Sequence, residues 1–207
     1  ALIVMTCIIL IFVGGVNLKQ FLLIGVIGAA GALLLVSIMS RNYDYIQKRI
    51  QSWVDPFADS QGNTWQTCQS LIAIGSGGLF GLGLGESRQK YLYLPETKND
   101  FVFSIVCEEL GLVGALTVVL LFTLLVIRGF YIAMRAKDKF GMLMAIGLTS
   151  HIGLQAFFNI AVVSNLIPNT GISLPFFSYG GTALILQLAE MGIVLSVSRQ
   201  MPAPENG

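Results

Sequence analysis

The stretch FVFSIVCEELGLVGALTVVLLFTLLVI (101–127) decides the fold, because its only charged residues are Glu108 and Glu109. It exceeds the roughly 20 mainly apolar residues that a helix needs to cross a bilayer. Working outward, five more apolar runs occupy residues 140–163, 181–198, 64–84, 20–39 and 1–16. The last is short: at about 1.5 Å per residue it does not cover a hydrocarbon core of roughly 30 Å. No charged segment precedes it, so it reads as the cut end of a helix and not as a signal peptide. The expected fold is all-α: a polytopic membrane bundle of about six helices over residues 1–199, followed by a cytoplasmic tail (200–207).

Composition agrees with a membrane protein. Of 207 residues, 55% are hydrophobic and 11% charged, whereas soluble domains carry about 25% charged residues. The 23 Gly and 6 Pro fit membrane helices, which use both more than soluble helices do. Cys7, Cys68 and Cys107 lie scattered in apolar runs and read as small buried hydrophobes. They form neither a disulfide framework nor a metal site. No basic stripe points to nucleic acid.

Lys and Arg in the loops predict the orientation. Arg41, Lys48, Arg49, Arg128, Arg135, Lys137, Lys139 and Arg199 fall on one side, expected to be cytoplasmic. Lys19, Arg88, Lys90 and Lys98 fall on the other. Both ends of the chain then face the cytoplasm. Two loops, GESRQKYLYLPETKND (85–100) and SNLIPNTGISLPFFSYGG (164–181), lie outside. The second contains Pro168, Pro175 and the Gly180–Gly181 pair, so it is not a regular helix throughout. Being apolar, it is expected to fold back against the helix tops. On the cytoplasmic side, RNYDYIQKRIQSWVDPF (41–57) reads either as an interfacial helix or as a linker anchored by Tyr45 and Trp53.

Several polar residues are candidates for chemistry. Asp100 sits where the first external loop meets the span at 101. It either caps that helix or acts as a base at the water–membrane boundary. Glu108 and Glu109 lie about 12 Å deeper. Carboxylates inside a span are costly, so one should point into the bundle, for a structural hydrogen bond or for function. Arg88, Lys90 and Lys98 share a loop with Glu96 and Asp100, as ordinary loop charge or as a clamp for an anionic headgroup. His151, Gln155 and Asn159 recur every fourth residue, forming one helix face that avoids lipid and bonds to neighbouring helices. Gln187 and Glu190 give the last helix a shorter polar face. GSGGLFGLGLG (75–85) matches no nucleotide loop and reads as close backbone packing of helices.

Two blocks carry a resemblance. QSLIAIGSGGLFGLGLGESRQKYLYLPETKNDFVFSIVCEELGLVG (69–114) and IPNTGISLPFFSYGGTALILQLAEMGIVLSVSR (167–199) resemble the SEDS family of FtsW, RodA and SpoVE, closest to the FtsW/SpoVE branch. The resemblance implies a ten-helix fold of which this chain holds the last six, in the bacterial cytoplasmic membrane. It implies a peptidoglycan glycosyltransferase that polymerises lipid II into glycan strands for division, cell shape or sporulation. Undecaprenyl pyrophosphate leaves with inversion, and a class B penicillin-binding transpeptidase is the partner. Asp100 matches the family's essential aspartate, the base. Arg88, Gln89, Lys90, Glu96, Lys98, Ser178 and Tyr179 are implied substrate contacts. Pro168, Pro175, Gly180 and Gly181 shape the cavity wall, with Glu108 and Glu109 behind it. Cations of the chain, or a divalent ion such as Mg or Mn, stabilise the departing charge. Family members often carry His and Thr where this chain has Lys98 and Asn99. The alternatives are a lipid II flippase, with a polar path along Glu108, His151, Gln155 and Glu190, and a division scaffold.

Overall fold

The computed structural model describes residues 2–15, 25, 26, 28, 31, 50–58, 64–87 and 100–201. Most of the run at 20–39 and the residues Arg88, Gln89, Lys90, Glu96 and Lys98 lie outside the described residues. The elements are α1 (Leu2–Val13), α2 (Trp65–Ser76), α3 (Val102–Met134), α4 (Lys139–Val163) and α5 (Gly181–Arg199). The all-α expectation holds among the described residues. Helices α3, α4 and α5 are long and apolar enough to cross a membrane, matching three of the expected spans.

α4 is the centre of the bundle. In its most apolar stretch 56% of residues are buried, against 17% in α3 and 11% in α5. Asp138 starts it, the side chain accepting a hydrogen bond from Gly141 N at 2.9 Å. Small residues bring its neighbours close: a Cβ on Gly129 of α3 would lie 2.3 Å from Thr149 Oγ1. The main core joins Phe101, Phe103, Cys107, Val118 and Phe122 to Ile152, Ala156, Val163 and Leu174. Leu116, Leu120 and Leu124 of α3 and Ile185 and Leu188 of α5 are exposed, as lipid-facing side chains are.

The expected span at 64–84 is corrected. α2 stops at Ser76, and its 12 residues reach only about 18 Å. The glycine segment beyond it is not a helix. Inside α3, Gly111 has φ 66° and ψ −163°, which interrupts that helix too. The two interruptions exchange partners. Leu82 N and Gly83 N donate to Glu108 O and Glu109 O, both at 3.0 Å, while Leu112 N and Val113 N donate to Gly78 O and Leu79 O at 2.9 and 3.2 Å. In two unbroken helices each of these amides would donate four residues back within its own chain segment. Each of these four bonds is therefore replaced by one across the pair, which matters where water is absent.

Sidedness is corrected as well. Trp53 Nε1 donates to Asn165 O, and Asn165 Nδ2 donates to Trp53 O, both at 3.1 Å. Ser70 Oγ donates to Val163 O at 2.9 Å, and Ser87 Oγ donates to Glu108. Residues 50–58 and 64–87 thus sit at the Asp100 end, and α2 dips into the bundle without crossing it. At the opposite end Ile9 and Leu10 of α1 pack against the cluster of Ala133, Ala145 and Ile146, as do Met142 and Val197. There the guanidinium groups of Arg128 and Arg135 lie 5.0 and 4.5 Å from the Tyr131 ring centroid. α1 therefore runs toward the basic end, opposite to the expected direction. The charge rule holds for short loops near span ends, while long loops translocate largely regardless of charge. Treating 64–84 as a span put residues 50–58 and residues 85–87 on opposite sides, whereas they share one end. Cys68 and Cys107 are buried as expected, but Cys7 is exposed.

Candidate functional site: the Asp100 end of the bundle

Asp100 stands one residue before α3. The first-turn cap position is Phe101, whose backbone carbonyl accepts from Ser104 N and from Ser104 Oγ. Asp100 is therefore not the N-cap residue. Its own carbonyl accepts a hydrogen bond from Asn159 Nδ2 at 2.7 Å. The same amide donates to Ile172 O, also at 2.7 Å. One fully buried side chain on α4 thus joins Asp100 to the segment returning between α4 and α5. Gly171 faces the carboxylate: a Cβ there would lie 3.6 Å from Asp100 Oδ2, and its φ of 68° suits glycine.

The returning segment, residues 164–180, folds back on the helix tops as expected. Asn165 and Phe176 adopt left-handed φ values of 58° and 64°. That is uncommon for asparagine and an outlier for a bulky aromatic. Side chains of the neighbouring helices hold it there. Gln155 Nε2 donates to Ser173 O at 3.1 Å, and Gln187 Oε1 accepts from Phe176 N at 2.9 Å. The segment's own Leu174 and Pro175 are fully buried. Gln155 and Asn159 of the stripe are buried as expected, while the His151 side chain is 31% exposed. Gln155 and Asn159 bind irregular backbone as much as another helix, and His151 lies 3.3 Å from Glu190.

Of the other expected site residues, Glu108 is 1% exposed and points into the bundle toward Ser87, while Glu109 is only half-buried. Ser178 Oγ accepts from Leu174 N at 2.8 Å, closing a turn. Tyr179 is 81% exposed, the side chain most open to a ligand or lipid. Gly180 is extended and leads into α5 at Gly181. Pro168 is half-buried. Sequence reasoning did not single out Ser87, Gly171 or the Gly111 break. The signal for the last was a glycine two residues after a pair of intramembrane carboxylates. Among the described residues no three His, Cys, Asp or Glu side chains converge as a metal site.

Interrupted helices in an apolar bundle, with a carboxylate at one end beneath a returning segment, define a polytopic membrane protein with a site at the membrane boundary. The FTSW_RODA_SPOVE family model, described as "Cell cycle protein", matches residues 1–202, and the chain belongs to that family. It is 48% identical to stage V sporulation protein E of Bacillus subtilis (strain 168), over 94% of this chain and 52% of that protein. It is 44% identical to the probable peptidoglycan glycosyltransferase FtsW of the same organism, over 97% of this chain and 51% of that protein. The chain thus spans about half the length of these curated relatives. Among solved structures, a chain of a peptidoglycan synthase complex, described as coordinating polymerization and crosslinking, superposes with a TM-score of 0.73 at 30% identity. The match covers 97% of this chain and 55% of that one.

Proposed function

We propose that this chain carries the catalytic half of a peptidoglycan glycosyltransferase that polymerises lipid II at the outer face of the bacterial cytoplasmic membrane. Asp100 takes the proton from the acceptor sugar hydroxyl. The hydroxyl oxygen attacks the anomeric carbon of the lipid-linked chain, and the bond from that carbon to the pyrophosphate oxygen breaks. Undecaprenyl pyrophosphate leaves with inversion. Arg88, Lys90 and Lys98 offset the charge that develops on the leaving group, and Ser178 and Tyr179 lie on the substrate side. A class B penicillin-binding transpeptidase cross-links the product. The observation that carries this reading is Asp100 itself: a half-buried carboxylate at the end of an apolar bundle, facing a glycine and not serving as the α3 cap residue.

Transport of lipid II would need an open polar path through the bundle. Gln155 and Gln187 are instead engaged with Ser173 and Phe176, which supports polymerisation over transport. The test uses the full-length protein with its transpeptidase and purified lipid II. Asp100→Asn and Asp100→Ala are each expected to lower glycan polymerisation about 10²- to 10⁴-fold, the range for losing a general base. Full activity in both removes Asp100 from the mechanism. Lipid II flipping without polymer from the unsubstituted protein would establish transport instead.

A further inference from the structure

We infer that Asn159 is a positioning residue for the reaction, acting through the backbone of Asp100; this rests on the assignment of Asp100 as the base. Asn159 is 0% exposed on a membrane-spanning helix, where a buried amide is costly unless bonded; its Nδ2 is bonded twice, while its Oδ1 has no partner among the described residues. Both of its strong contacts go to one place. Nδ2 donates at 2.7 Å to Asp100 O and at 2.7 Å to Ile172 O. Those carbonyls belong to segments far apart in sequence, the residue before α3 and the segment returning between α4 and α5. Gly171, the neighbour of Ile172, is the residue that faces Asp100 Oδ2. A single amide therefore sets the position of the carboxylate and of the wall opposite it.

The anchor also stands on a firm base. Asn159 lies four residues before Val163, a fully buried residue of the main core, and Ala156 packs one turn below. Ser104 ties the first turn of α3 through Phe101 O, so Phe101 onward is set by α3 itself. Asp100 lies just outside that turn, and its backbone carbonyl accepts from Asn159 of α4. Loss of the amide leaves two buried carbonyls without their donor and lets Asp100 shift relative to Gly171. A displacement of about 1 Å at a reacting group can cost about 10²-fold in turnover, even where substrate binding is unaffected.

The experiment measures kcat, KM and thermal unfolding of the full-length protein with its transpeptidase on lipid II. Variants are Asn159→Leu, Asp100→Asn and, as a structural control, Ser70→Ala, which removes the buried bond to Val163 O without touching Asp100. For Asn159→Leu the expected result is a fall in kcat of about 10²-fold with KM within about threefold. Ser70→Ala is expected to lower the unfolding temperature with a far smaller change in kcat. Should Asn159→Leu not fold, Asn159→Ser, which keeps one donor, is judged in its place by the same kcat and KM criteria. Unchanged kcat in the folded Asn159 variant, with Asp100→Asn inactive, overturns the positioning role alone. A loss of kcat that merely tracks lost folded protein, equal to that of Ser70→Ala at matched stability, also overturns it. If Asp100→Asn polymerises normally, the base assignment itself fails, and this inference with it.

Discussion

Two stretches of irregular backbone enter the bundle from the Asp100 end, and they are held by opposite means. The glycine segment after α2 is held by main chain, through four amides exchanged with the Gly111 break in α3. The segment between α4 and α5 is held by side chains, those of Gln155, Asn159 and Gln187. The difference follows from depth and approach. At Gly81 a Cβ would lie 2.1 Å from Glu109 O, so the two backbones touch and no side chain fits between them. Near Ser173 the backbone lies farther from α4, and an amide side chain spans the gap. In both places the hydrogen bonds of non-helical backbone are met by protein, as a membrane interior demands. The first solution depends on what is absent from glycine; the second depends on what is present in asparagine and glutamine.

The sharpest way to break the comparison is to add one carbon. Gly111→Ala places a Cβ 2.4 Å from Gly81 N, at a φ/ψ pair open essentially to glycine alone. Destabilisation of about 4 kcal/mol or more is expected, seen as loss of folded protein in detergent thermal unfolding. Wild-type stability in that variant would mean that the exchange of amides is not formed. Removing a side-chain clamp should cost less. Gln155→Leu leaves Ser173 O without its donor, for an expected loss of about 1–3 kcal/mol by the same measurement. If it cost as much as Gly111→Ala, the two solutions would not differ in kind.

Smaller effects sharpen the picture. Glu108→Gln keeps an acceptor for Ser87 Oγ, whereas Glu108→Leu removes it. The Gln variant is expected to be more stable by about 1–2 kcal/mol. Equal stabilities would show that the Ser87 contact contributes nothing. At the bottom of the scale, Gly192 lies in α5, and a Cβ there meets nothing within 4 Å. Gly192→Ala should raise stability by about 0.5–1 kcal/mol, the helical preference for alanine. A loss there would point to a close neighbour on that face.

The spans at 101–127, 140–163 and 181–198 were readable because long apolar runs have one structural use at that length. The polar stripe at 151, 155 and 159 was readable because helical periodicity places it on one face. The run at 64–84 was misread as a span for a related reason. Hydropathy measures composition, and it cannot separate a helix from glycine-rich backbone whose partners lie in another helix. That error carried Trp53 to the wrong end, although Trp53 and Asn165 bond at the Asp100 end. Around the site, Asp100 stood out by its place at the edge of a span, but the contacts that hold it lay 59 residues away in Asn159.

The order of residues alone determined that this chain lives in a membrane, that the runs at 101–127, 140–163 and 181–198 cross it, and which carboxylate stands at the edge, because transfer of side chains out of water is a local property. Tertiary structure decided that α2 turns back, that Gly111 opens α3, and that one amide of α4 holds both Asp100 and Ile172. Those outcomes depend on which backbone groups find partners in a place without water, and partners distant in sequence leave no mark on local composition.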